Sequence, residues 1–147
     1  MVGFSSSSYK DSVRNAEETG EFVCNLATRP LAEAMNRTSA PVATGVDELA
    51  LAGLEAAPCR LVAAPRVAAA PAALECRTLQ VLRLRDLDGN DVDGFLTIGQ
   101  VVGVHIDPRY LKDGIFDIAA AQPIMRAGYQ ADYTELGALF EMVRPTE

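Results

Sequence analysis

Four consecutive serines at positions 5–8 stand ahead of Lys10 and a further serine, Ser12, in the opening stretch "MVGFSSSSYKDSVRNAEETG". Serine hydroxyls are small hydrogen-bond donors, and lysine adds a compact positive charge. Where a helix begins, such groups join backbone N–H groups that lack intrahelical partners, at the positive end of the helix dipole. The chemistry available there is capture of an anion such as a phosphate. A plainer reading stays open. Ser8 and Asp11 fit the [ST]-x-x-[DE] capping pattern, and the other serines then form an ordinary loop.

Other reactive residue types are sparse. The chain has three cysteines and one histidine. Cys24, Cys59 and Cys76 show no paired spacing, so they read as small buried apolar residues of a reduced, cytoplasmic protein. No metal site is expected from one histidine and no close cysteine pair. His105, in "VVGVHID", reads as a strand histidine satisfied by a backbone partner. The acidic turn at residues 86–93 lacks the full twelve-residue calcium pattern with its closing glutamate, so it reads as a solvated hairpin.

Bulk properties narrow the classes further. A formal net charge of −7 argues against general nucleic-acid binding, which needs clustered Lys and Arg. No apolar run approaches the roughly 20 residues of a membrane helix. No basic region followed by an apolar core marks a signal peptide. The length of 147 residues suits a single domain over positions 1–147.

The elements that must hold the serine-rich turn can be read from local pattern. Residues 2–4 form a short edge strand. A surface helix over residues 9–18 follows, with Val13 and Ala16 as its apolar face and Gly20 as its stop. "EFVCNLAT" alternates as a strand with both faces covered. "RPLAEAMNRTS" reads as a helix entered at Pro30, with Leu31, Ala34 and Met35 on one face. Residues 40–70 are a proline-punctuated connection with one short helix at residues 48–51, started by Asp47. Two long β runs, "AALECRTLQVLRLRD" and "GFLTIGQVVGVHID", meet at Asp88-Gly89-Asn90. Each would span over ~40 Å if straight, so both must bend, and Gly99 and Gly103 are the expected bends. Short helical pieces are expected at residues 108–111 and 118–120, and a last strand at residues 139–145. The class is mainly β with short helices, an α+β arrangement of long antiparallel strands of the kind a small barrel requires.

In order and spacing, "FSSSSYKDSVRNAEETGEFVCNL", "LAEAMNRTSAP", "GVDELALAGL", "APRVAAAPAALECR", "IGQVVGVHID" and "PIMRAGYQADY" resemble the flavin reductase-like family. The resemblance implies an FMN-binding split β-barrel and a homodimer with FMN near the subunit interface. It also implies electron transfer from NADH or NADPH through flavin to a flavin or another acceptor. It places the FMN phosphate on Ser5, Ser6, Ser7, Lys10 and Ser12. It brings Asn25 close to the flavin and Arg126, with Tyr133, beside the cofactor or the dimer contact. Family members carry further barrel strands ahead of the segment that begins this chain. The resemblance therefore implies a barrel incomplete at the N-terminus, with the ring-facing half of the site largely absent. It leaves open a second reading, a non-catalytic split-barrel module for flavin binding or dimerisation.

Overall fold

The alternating apolar and polar residues of the two long runs, with the Asp-Gly-Asn turn between them, fold as one antiparallel hairpin. The computed structural model describes residues 1–145. Strand β1 is Val2–Ser6, helix α1 Asp11–Thr19, and strand β2 Glu21–Asn25. A 3-10 turn at Arg29–Leu31 leads into α2, Ala32–Arg37, and α3 covers Glu48–Ala52. Two-residue strands β3, Ala56–Ala57, and β4, Arg66–Val67, precede the hairpin of β5, Ala72–Arg85, and β6, Asp91–Ile106. The sheet order is β1-β6-β5-β2, with every pairing antiparallel.

The hairpin is irregular where its glycines lie. Glu75 faces Gly103 while Cys76 faces Val101, so Val102 is the extra residue of a bulge; Thr78 faces Gly99 while Gln80 faces Ile98, so Leu79 is another. Bulges bend and twist a strand, and both expected bends sit at these shifts. The glycines also make room. A Cβ on Gly99 would lie 2.5 Å from the Phe22 ring, and one on Gly103 would lie 3.0 Å from Glu75 Oε1. The turn uses Gly89 at φ +84, and the Asp86 carboxylate accepts the amides of Asp88 and Asn90.

One face of the sheet packs under α1. Val13 and Ala16 are 1% exposed, and Ala16 meets Phe22 and the fully buried Cys76, with Phe4, Cys24, Leu74 and Val101 around them. Phe4 and Phe22 meet edge to face with ring centroids 5.3 Å apart. The helix ends at Gly20 with φ 72, a left-handed value that glycine adopts without strain. The opposite face carries Glu21, Asn25, Glu75 and Arg77, and the segment at residues 60–67 lies across it. β2 is thus an edge strand with both faces covered.

Three local expectations change. Ser5 and Ser6 belong to β1, paired with Leu96 and Phe95, because strand pairing extends through them. Lys10, not Ser8, is the N-cap of α1, and no side-chain cap is made, because the turn bends before the helix starts. Residues 139–145 form no strand; β9, Ile124–Arg126, pairs instead with β10, Tyr133–Glu135. Between β6 and β9 come the small hairpin of β7, Leu111–Lys112, and β8, Ile115–Phe116, and helix α4, Ile118–Ala121. The helix at residues 48–51 stands, with Asp47 Oδ1 accepting the amides of Leu49 and Ala50. Among the described residues no helix is long and apolar enough to cross a membrane.

Substituting Gly99→Ala should lower unfolding stability by about 1–3 kcal/mol in a denaturant titration, since the new methyl group must displace the Phe22 ring.

Candidate functional site

The β1–α1 junction is shaped by a single carbonyl. Ser8 O accepts the Ser6 hydroxyl at 2.7 Å and the Lys10 amide at 2.9 Å, which closes the bend at residues 7–9. The Lys10 carbonyl then accepts the amides of Val13 and Arg14, both at 3.0 Å, and starts α1. With no side-chain cap, amides of the first turn remain available as donors. Lys10 is exposed and makes no ion pair among the described residues. Asp11, in the first turn, is neutralised by Arg14 at 2.9 Å. Tyr9 leans over the Phe95 ring, its hydroxyl donating to Glu17 at 2.5 Å. That hydrogen bond to a carboxylate pushes the phenol above its ordinary pKa.

Behind the junction lies a cleft of about 610 Å³. Its walls include Asp11, Arg14 and Asn15 of α1, Asn25 and Leu26 at the end of β2, and Thr38 with the segment before α3. Asn25 Oδ1 accepts the Val67 amide at 2.9 Å, which fixes the side chain and leaves its NH₂ group for the cleft. Ser12 is exposed and lines a different hollow, with Phe4, Phe22 and Ala63. Arg126 lines a third, of about 810 Å³, where its guanidinium lies 5.1 Å from the Tyr133 ring centre and donates to Tyr133 Oη at 3.3 Å. Met35 borders both this cleft and the Asn25 cleft. Ser5 and Ser6 thus end β1, Ser7 lies in the bend, Lys10 caps α1, and Ser12 faces the hollow beside Phe4; Asn25 and Arg126 line two separate clefts.

The most strongly perturbed acid stands elsewhere. Glu75 is 1% exposed. Its Oε1 accepts the Arg60 amide at 3.1 Å, and its Oε2 accepts those of Leu61 at 2.6 Å and Val62 at 3.0 Å. His105 Nε2 lies 2.5 Å from Oε1; an ionised carboxylate only accepts, so Nε2 carries the proton. Burial alone would push this carboxyl up. The hydrogen bonds from Arg60, Leu61, His105 and Val62 outweigh it and hold the pKa at about 2. His105 is thus satisfied by a carboxylate rather than a backbone group. Cys59 approaches the same pair. Burial, with the Glu75 charge behind it, pushes its thiol above the ordinary value.

Sequence reading missed Arg14, Asn15 and Thr38 as cleft walls. The available signal was the helical spacing that sets Asp11, Arg14 and Asn15 on one side of α1. It missed Glu75 altogether, because alternation in β5 assigns that position to the outer face, and only the overlying segment buries it.

The family described as flavin reductase like domain matches residues 1–119. An uncharacterised protein of Halalkalibacterium halodurans is 33% identical over 137 residues, covering 93% of this chain and 65% of the relative. The chain thus spans less than two thirds of that relative's length. The crystal structure of nitrilotriacetate monooxygenase component B from Bacillus cereus superimposes with a TM-score of 0.87 at 28% identity, covering 95% of this chain and 70% of that one. A Shewanella frigidimarina protein with a split barrel domain gives 0.82 at 20% identity, covering 97% and 70%. The fold is the flavin reductase-like split barrel, mainly antiparallel β with short helices.

The depressed Glu75 pKa fixes the sign of an acid transition. The group contributes stability above its unfolded value near 4.5, and that contribution is lost as pH falls toward about 2. Thermal melts should show wild-type stability dropping through this window, and Glu75→Gln should be less stable at pH 7 with a flatter profile. A profile identical in both proteins would overturn the assignment.

Proposed function

The chain belongs to the flavin reductase-like domain family, and from that premise we propose that it binds FMN with the phosphate at the β1–α1 junction. In this reading it serves as a reductase-type oxidoreductase, carrying electrons from NADH or NADPH through flavin to a second flavin or another acceptor. The observation that carries the proposal is the start of α1, uncapped by any side chain and beside Lys10, whose cation makes no ion pair among the described residues.

The donor set fits a phosphate ester. First-turn amides, the hydroxyls of Ser5, Ser7 and Ser12, and the Lys10 ammonium supply hydrogen bonds and charge without bulk. Ser6 contributes differently: its hydroxyl already donates to Ser8 O, so it shapes the bend. The pairing of Asp11 with Arg14 offsets a negative charge that would otherwise oppose an anion at this end of the helix. Asn25, anchored through Val67, offers its NH₂ group to orient a ring in the cleft behind. When bound, the flavin supplies the two-electron chemistry, and the protein supplies binding, orientation and exclusion of water.

Arg126 lines a cleft apart from the junction, so a contact with cofactor is best supplied to a second copy of the chain. A homodimer agrees with the exposed apolar side chains of the hairpin arm, Leu79 at 49% and Leu82 and Leu84 at 41% each. The same surface favours a second reading, a non-catalytic module that dimerises and holds flavin without turnover.

Titration with FMN and with riboflavin separates phosphate capture from ring binding. Lys10→Ala should weaken FMN about tenfold, or ~1.4 kcal/mol, and leave riboflavin affinity unchanged. Equal effects on both ligands, or none, would refute the phosphate assignment. Flavin binding without NADH or NADPH oxidation would favour the module. Light scattering should give a dimer mass for the wild type and a monomer mass for the Leu82→Lys, Leu84→Lys double variant; a wild-type monomer would sink the dimer.

A further inference from the structure

We propose that Cys59, Glu75 and His105 form a binding site for a divalent transition-metal ion of the zinc type, between the loop after β3 and strands β5 and β6. One ligand atom from each residue lies within 4.8 Å of the others. The three come from distant positions in the chain, and two features hold them together. Gly103, opposite Glu75 in the sheet, leaves the space in which the carboxylate lies; a Cβ there would stand 3.0 Å from Oε1. The amides of Arg60, Leu61 and Val62 bind that carboxylate and so fix the loop that carries Cys59.

Surface acids often cluster with no ion among them, but Glu75 is 1% exposed and His105 is bonded to it directly. Imidazole nitrogen, thiolate sulfur and carboxylate oxygen form a donor set suited to zinc, with metal–ligand distances of about 2.0–2.3 Å. Such distances keep ligand atoms roughly 3.3–3.8 Å apart in a tetrahedron. The set must therefore close slightly toward Cys59 while the 2.5 Å contact between His105 and Glu75 opens. The ion takes the place of the proton between Nε2 and Oε1. His105 then carries its proton on Nδ1, and the Cys59 thiol proton passes to solvent, so metal uptake releases one proton from these groups. Oε2 keeps the Leu61 and Val62 amides, which orient the ligating carboxylate. Three protein ligands leave a fourth position for water.

The test needs no cofactor. The metal-free 147-residue chain is titrated with Co²⁺ while the near-ultraviolet thiolate-to-cobalt charge-transfer band is followed, and Zn²⁺ is then added in competition. The expected result is a band saturating at one equivalent and abolished by Zn²⁺. Cys59→Ser should lose the band and weaken Zn²⁺ binding at least about tenfold, as should His105→Gln, whereas Cys24→Ser keeps both. Zn²⁺ should raise the melting temperature of the wild type and not of Cys59→Ser. No band in the wild type, a band that survives Cys59→Ser, or Co²⁺ uptake without a band would each overturn the proposal.

Discussion

The segment at residues 60–67 has few strand partners of its own, and the side chains beneath it satisfy its backbone. Glu75 takes three of its amides, Glu21 takes those of Ala63 and Ala64, and Asn25 takes that of Val67. Arg77 donates to the Leu61 carbonyl at 2.8 Å. An amide left unsatisfied on burial costs about 1–3 kcal/mol, so the placement of this segment depends on these acceptors. Removing Glu75 would free three amides and the His105 ring together. The segment in turn covers the second face of β2 and β5.

That constraint reaches the cleft beside α1 through Asn25 and Val67, which are bonded to each other and both line it. The cleft's other wall is α1, held by Val13 and Ala16 against the opposite face of the same sheet. The geometry of the β1–α1 junction is therefore referred to the hairpin twice, once through β1 pairing with β6 and once through α1 packing. The bulges at Gly99 and Gly103 let a hairpin of such length curve enough to serve both contacts. Phe22 fills the space that Gly99 leaves, and Glu75 fills the space that Gly103 leaves. The two faces of one sheet thus use the same device, an absent side chain opposite a large one.

The resulting surface divides its work. The junction carries donors and a cation, the cleft behind it is a mixed wall of polar and apolar groups, and the Arg126–Tyr133 stack lies beyond α2. No titrating residue is needed beside a cofactor that carries its own redox chemistry. The strongly shifted acid, Glu75, accordingly sits in the frame that supports the cleft and lines neither it nor the Arg126 cleft.

Sequence by itself determined the features that depend on neighbours within a few residues. The Asp86–Asn90 turn follows from an Asp-Gly-Asn run, the start of α3 from Asp47, and the end of α1 from Gly20, because each is set by backbone preference and one local hydrogen bond. The long hairpin and its two bends were legible for the same reason: strand length and glycine position are local. Tertiary structure decided the rest. Ser6 joined a strand because β6 offered it a partner, and the Ser8–Asp11 pattern gave no cap because the bend at residues 7–9 carried Ser8 away from the helix start. Glu75 is an outward strand residue by alternation, and only a segment some 14 residues away, closing over it, turns it into a buried acceptor. Burial and long-range pairing are properties of where distant residues meet, and no local pattern encodes them.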